Sequence, residues 1–182
     1  MDRVSFKNSK PKWDGGKSPA ANAKAILPRL AEAYFAEGDK LLASQPTLEE
    51  YHELRLATKH FRYLLENFEP LYGAGLLSRI EDLRAIQRIL GELNDCAVTQ
   101  QLLRGRTANG LQKILESQVG ALSDEFAALW ANRFSPERRR LWINYLRTHA
   151  GRRPRTPRKP GGRAVRLREE PGEKKPRKSG TR

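Results

Sequence analysis

Four residues in this chain, His52, Arg55, Lys59 and Arg62, have the types and spacing to hold an extended anion. Each arginine can set a planar fork of N–H donors on phosphate-like oxygens, and the lysine adds a point charge. A protonated histidine donates from either ring nitrogen, so bound phosphate should favour its protonation and binding should tighten as pH falls toward about 6. The offsets i, i+3, i+7 and i+10 put all four in one arc of a helix, roughly 80° wide at about 100° per residue. At about 1.5 Å per residue the line spans on the order of 15 Å. The pattern points to a polyanion, although a basic run opposite an apolar face is also what a merely solvated surface looks like.

The element that must carry these residues runs from Glu50 to Phe68. Its Leu54, Ala57, Phe61, Leu64, Leu65 and Phe68 fill a second arc of roughly 100°, the width of a core-facing stripe. Thr47 and Glu50 form a capping box at its start, and Pro70 sets its end near Glu69. An earlier helix is expected from Ser18-Pro19 to about Ala43, with Ile26, Leu27, Leu30, Tyr34, Leu41 and Leu42 apolar. Pro28 should kink it or mark a restart. A third helix begins near Leu76, carries Ile80, Leu83, Ile86, Leu90, Ala97 and Val98, and stops at Gly105. Gln87 and Asn94 lie in its apolar arc, so each should meet a polar group on a neighbouring helix. A second capping pattern, Asn109 with Gln112, opens a fourth helix with Leu111, Ile114, Leu115, Leu122, Phe126, Leu129 and Trp130. Ser135-Pro136 opens a short fifth with Leu141, Trp142, Tyr145 and Leu146. Without strand or hairpin signals in this body, the fold class is all-α: an antiparallel bundle of four long helices plus a short fifth.

The chain divides by composition into an arm at 1–17, a bundle at 18–149 and a tail at 150–182. The arm is expected to be flexible, with Trp13 able to dock. Of the net charge of +14, residues 151–182 supply +10, from 13 Lys plus Arg against 3 Asp plus Glu. With five prolines and no packable apolar face, the tail reads as disordered. This charge favours anionic partners and does not by itself select one. One cysteine, Cys96, allows no internal disulfide and no thiolate metal site. The N-terminus has no apolar signal core and no segment reaches the roughly 18 apolar residues of a membrane span. A cytoplasmic protein is expected, with no cofactor and no metal.

The series His52, Arg55, Lys59, Arg62, Tyr63 resembles the motif of the CHAD family, the conserved-histidine α-helical domain. Leu83-Arg84-Ala85-Ile86-Gln87 with Leu90-Gly91 and Asn94-Asp95 is similar to that family's second motif. The resemblance spans roughly residues 18–149. It implies an all-α fold whose basic groove binds inorganic polyphosphate, with association with polyphosphate granules in some members. Members usually carry two such bundles, and this chain has one copy of the motif. Either one bundle suffices or two chains pair as a homodimer. His60 and Phe61 replace a usual Arg-Leu pair, and Arg88 stands where an acidic residue is common.

The expected binding set is therefore His52, Arg55, Lys59 and Arg62, with Arg84 and Arg29 as candidates for the opposite wall, for each of which an exposed surface arginine is the alternative reading. Tyr63 reads as a packing residue whose hydroxyl meets Gln87 or Asn94, with a direct ligand contact as the alternative, Asp95 as a residue orienting a basic side chain, and Trp130 and Trp142 as core or inter-helix packing. No catalysis is expected: phosphoryl transfer calls for a phosphate-cradling loop or metal-holding carboxylates, and neither a G-x-x-x-x-G-K-[ST] loop nor a Glu-x-Glu-x-Lys signature is present. The rival reading is a nucleic-acid-binding module driven by the tail. A helical scaffold that recruits proteins to a granule is a third.

Overall fold

The computed structural model describes residues 12–103 and 109–151. They form five helices: α1 (Pro19–Leu42), α2 (Leu48–Tyr72), α3 (Gly75–Leu103), α4 (Asn109–Arg133) and α5 (Pro136–Thr148). Among the described residues there is no strand. The expected stop at Gly105, the first eleven residues and the tail beyond 151 lie outside the described residues, as does the side chain of Asn109 on which the expected cap rests.

Three helix starts follow from local chemistry. Ser18 and Ser135 each accept a backbone N–H of the first turn ahead of a proline, and Thr47 and Glu50 close a reciprocal capping box. Two expected proline boundaries are displaced. α1 runs through Pro28 as a single helix, with the ring buried in the core. α2 continues past Pro70 to Tyr72, because tertiary anchorage outweighs the local penalty. The buried Tyr72 hydroxyl donates to the Leu146 carbonyl at 2.7 Å. The turn then closes on Gly73, whose φ of 75° suits a residue without a Cβ.

Antiparallel pairing is written in the contacts. His52, Arg62 and Glu66 of α2 meet Asn94, Gln87 and Arg84 of α3 in descending order. Asp82 and Arg88 of α3 meet Arg133 and Glu125 of α4. Glu32 and Asp39 of α1 meet Arg147 and Arg139 of α5. One apolar core is shared by all five helices. Its centre is aromatic: Tyr34, Phe61, Phe126, Trp130 and Phe134 are fully buried. Tyr34 also shares a hydrogen bond with buried Thr58 at 3.0 Å, tying α1 to α2. Burial pushes the Tyr34 hydroxyl well above the usual tyrosine range.

Asp39 joins three helices. Burial alone would raise its carboxyl, but hydrogen bonds from Arg139 and the Trp130 indole hold it below the ordinary carboxylate range. The segment before α1 is also held: the Trp13 ring stacks on Phe68 at 6.4 Å, and Asp14 exchanges two hydrogen bonds with the Asn22 amide.

Several apolar residues assigned to the core by periodicity are instead exposed: Val98, Leu111, Ile114 and Leu141. The α2–α3 register accounts for the first. Since His52 faces Asn94, the first residue of α2, Leu48, lies opposite about Val98. The last turns of α3 therefore overhang α2, and the first turns of α4 share that uncovered end.

Candidate functional site

α2 presents its basic arc to the seam with α3. The two edges of that arc, His52 and Arg62, both touch α3, so Arg55 and Lys59 lie between them along the same seam. His52 Nδ1 stands 2.7 Å from Asn94 Oδ1. Arg62 Nε donates to Gln87 Oε1 at 2.8 Å. The two amides in the α3 apolar arc thus meet polar groups on a neighbouring helix, as their position requires. These partners are not the expected one. Tyr63 is exposed, with the Arg62 guanidinium 4.3 Å and the Lys59 ammonium 5.8 Å from its ring centroid. Its aromatic face lies beside the cations and its hydroxyl satisfies neither amide. At 100° per residue it falls next to the basic arc, away from the core arc.

The cations differ in how firmly the fold holds them. Arg62, with only 14% of its side chain exposed, pairs with Glu66 at 2.5 Å as well as with Gln87. Arg84 pairs with the same Glu66 oxygen at 3.0 Å and with Glu81 at 2.6 Å. These links hold its guanidinium above the usual arginine range. For Arg55 and Lys59 no carboxylate lies within ion-pair distance among the described residues, and the shielded Nε of Arg55 has no hydrogen-bond partner. They are the uncommitted charges of the line.

Where the seam widens, Arg62, Arg84, Gln87 and Arg88 line an open recess of about 370 Å³ with no carboxylate in its wall. Arg88 was not among the expected binding residues. Its signal was available, since it stands one turn after Arg84 and so on the same face of α3. It is held at the rim by Glu92 at 2.8 Å and Glu125 at 3.0 Å. A larger recess of about 490 Å³ lies between α1 and α5, but the carboxylates of Glu32 and Asp39 stand in its wall and pair with two of its three arginines, Arg147 and Arg139, beside Arg140. Arg29 is exposed on α1, and no described contact joins it to the α2–α3 seam. Asp95 is exposed on α3, and no described ion pair links it to a basic side chain. Cys96 is buried, with burial raising its thiol.

The family description of the CHAD domain matches residues 3–104, more than half the chain. The chain belongs to the CHAD family. The match takes in the arm as well as α1, α2 and α3, and it ends before α4, so the seam with its basic arc lies wholly inside it. No match was found among curated proteins or among solved structures. In this CHAD domain no helix among the described residues is long and apolar enough to cross a membrane.

The histidine geometry sharpens one expectation. With Asn94 Oδ1 as acceptor, His52 Nδ1 must carry a proton. Neutral His52 then offers only a lone pair at Nε2, which repels an anion, and a second proton turns that atom into a donor. Polyphosphate binding measured at several pH values should differ between the wild type and His52→Ala, and an unchanged affinity across the range would remove His52 from the site.

Proposed function

We propose that this CHAD protein binds inorganic polyphosphate without chemically altering it, along the α2–α3 seam, and that this binding places it on polyphosphate granules. The family is associated with polyphosphate binding. The observation that carries the reading for this chain is the recess of Arg62, Arg84, Gln87 and Arg88, at the end of a line of cations and with no carboxylate in its wall. A phosphate polymer has closely spaced charges and no bases, so recognition falls to charge and oxygen geometry. Arginine forks supply both. Arg55 and Lys59, with no described carboxylate partner, make the first contacts, and Arg62 and Arg84 take oxygens at the recess. Among the described residues no group of His, Cys, Asp or Glu side chains could hold a metal ion.

The test sets long polyphosphate against duplex DNA, on the full chain and on a chain ending at Ala150. The proposal expects the shortened chain to keep polyphosphate binding and to lose most of any DNA binding. A shortened chain that ignores polyphosphate, beside a full chain that prefers DNA, would transfer the function to the tail. Incubation with polyphosphate should release no orthophosphate and leave chain length unchanged.

A further inference from the structure

Glu66 interrupts the cationic line. On the α2 wheel it falls in the same arc as His52, Arg55, Lys59 and Arg62, one turn beyond Arg62. Its Oε1 accepts from Arg62 Nη1 at 2.5 Å and from Arg84 Nη2 at 3.0 Å. One carboxylate oxygen thus occupies the point where guanidinium groups from two helices converge, at the edge of the recess they line with Arg88. That point is where a phosphate oxygen would sit.

Neither arginine depends on Glu66 for its position. Arg62 keeps Gln87 through Nε and the Tyr63 ring against its plane, and Arg84 keeps Glu81. If Glu66 swung out, both forks would stay aimed into the recess with donors free. Glu66 is about 30% exposed and has water to swing into.

We propose that Glu66 is a specificity-determining residue of the polyphosphate site: a built-in competing anion that several adjoining phosphates displace and a lone anion does not. The inference rests on the polyphosphate reading above and names how that site discriminates. A tethered carboxylate competes at an effective concentration in the millimolar range or above. An isolated phosphate must exceed that concentration. A polymer first held by Arg55 and Lys59 presents its next phosphates intramolecularly, so it competes on equal terms.

The experiment measures binding of orthophosphate, tripolyphosphate and long polyphosphate to the full chain as wild type, Glu66→Gln and Glu69→Gln. Glu69 is the control: it removes the same charge from the same helix, and no described ion pair links it to the arginines. Glu66→Gln should bind tripolyphosphate about tenfold more tightly, from the release of two ion pairs. It should make orthophosphate binding measurable and improve long polyphosphate least. Glu69→Gln should change each affinity by less than about twofold. Glu66→Gln binding no better than Glu69→Gln, or worse than wild type, overturns the inference and makes Glu66 a support for the arginines. A wild-type chain that binds no polyphosphate removes the functional reading and the inference with it, so the two failures are told apart.

Discussion

Neutralising Arg55, Lys59 and Arg84 together, each to Gln, is expected to weaken polyphosphate binding by about 100-fold at low salt while leaving the helical circular-dichroism spectrum intact. The size follows from about 1 kcal/mol for each charge-assisted contact at a half-exposed site, below the range for buried ones, and about 1.4 kcal/mol per decade of affinity. The choice of residues follows from the fold. Arg55 and Lys59 have no described carboxylate partner to strand, and Arg84 is half exposed with its acidic partners on the surface. Arg62 is left in place because it is mostly buried against Gln87 and Glu66. Its loss would mix a folding defect with a binding defect. Salt supplies a second readout. Removing three phosphate contacts from a single-stranded polyanion complex should flatten the plot of log affinity against log salt by roughly 2. An unchanged slope would mean that the seam carries no ligand charge and that the binding energy resides in the tail.

The sequence made the basic arc legible because its spacing is incompatible with core packing and compatible with one helix face. It also required partners for Gln87 and Asn94, since amides in an apolar arc must be satisfied. It could not say which partners, because that depends on the register of α3 against α2. Sliding that register by one turn would have matched other pairs with the same local patterns. Tyr63, read first as packing, was legible without the register, because the wheel already sets it beside the basic arc and away from the core arc. Pro70 shows the limit from the other side. The local rule ends the helix at Glu69, but the buried Tyr72 hydroxyl on Leu146 draws it on to Tyr72. The exposed Val98, Leu111 and Ile114 belong to the same class, since periodicity reports which residues share a face and not whether another helix covers it. Arg88 was visible as a cation. Its membership of the recess was not, because that depends on α2 and α3 standing side by side.

The second large effect is on stability, at the contact where α4 crosses α1. Trp130 is buried, with its ring centroid 5.4 Å from Tyr34, 5.7 Å from Phe126 and 4.8 Å from Phe134, and its indole N–H donates to Asp39 at 3.1 Å. Trp130→Ala should cost about 4 kcal/mol, the middle of the range for emptying a large aromatic site. At about 3 °C per kcal/mol for a chain of this size, the melting midpoint should fall by about 12 °C. The same contact explains Gly38. A Cβ there would stand 1.9 Å from the Trp130 ring, so this helical position accepts only glycine, despite a cost of roughly 0.5–1 kcal/mol against alanine. Gly38→Ala alone should therefore destabilise by about 1–3 kcal/mol through overpacking. In the double variant the alanine methyl enters space vacated by the indole, and the helix gains propensity. The combined loss should fall short of the sum of the two single losses by at least about 1 kcal/mol. Denaturant titrations of the four proteins of this cycle would measure that coupling. Strict additivity would mean that Gly38 and Trp130 do not set the α1–α4 distance between them.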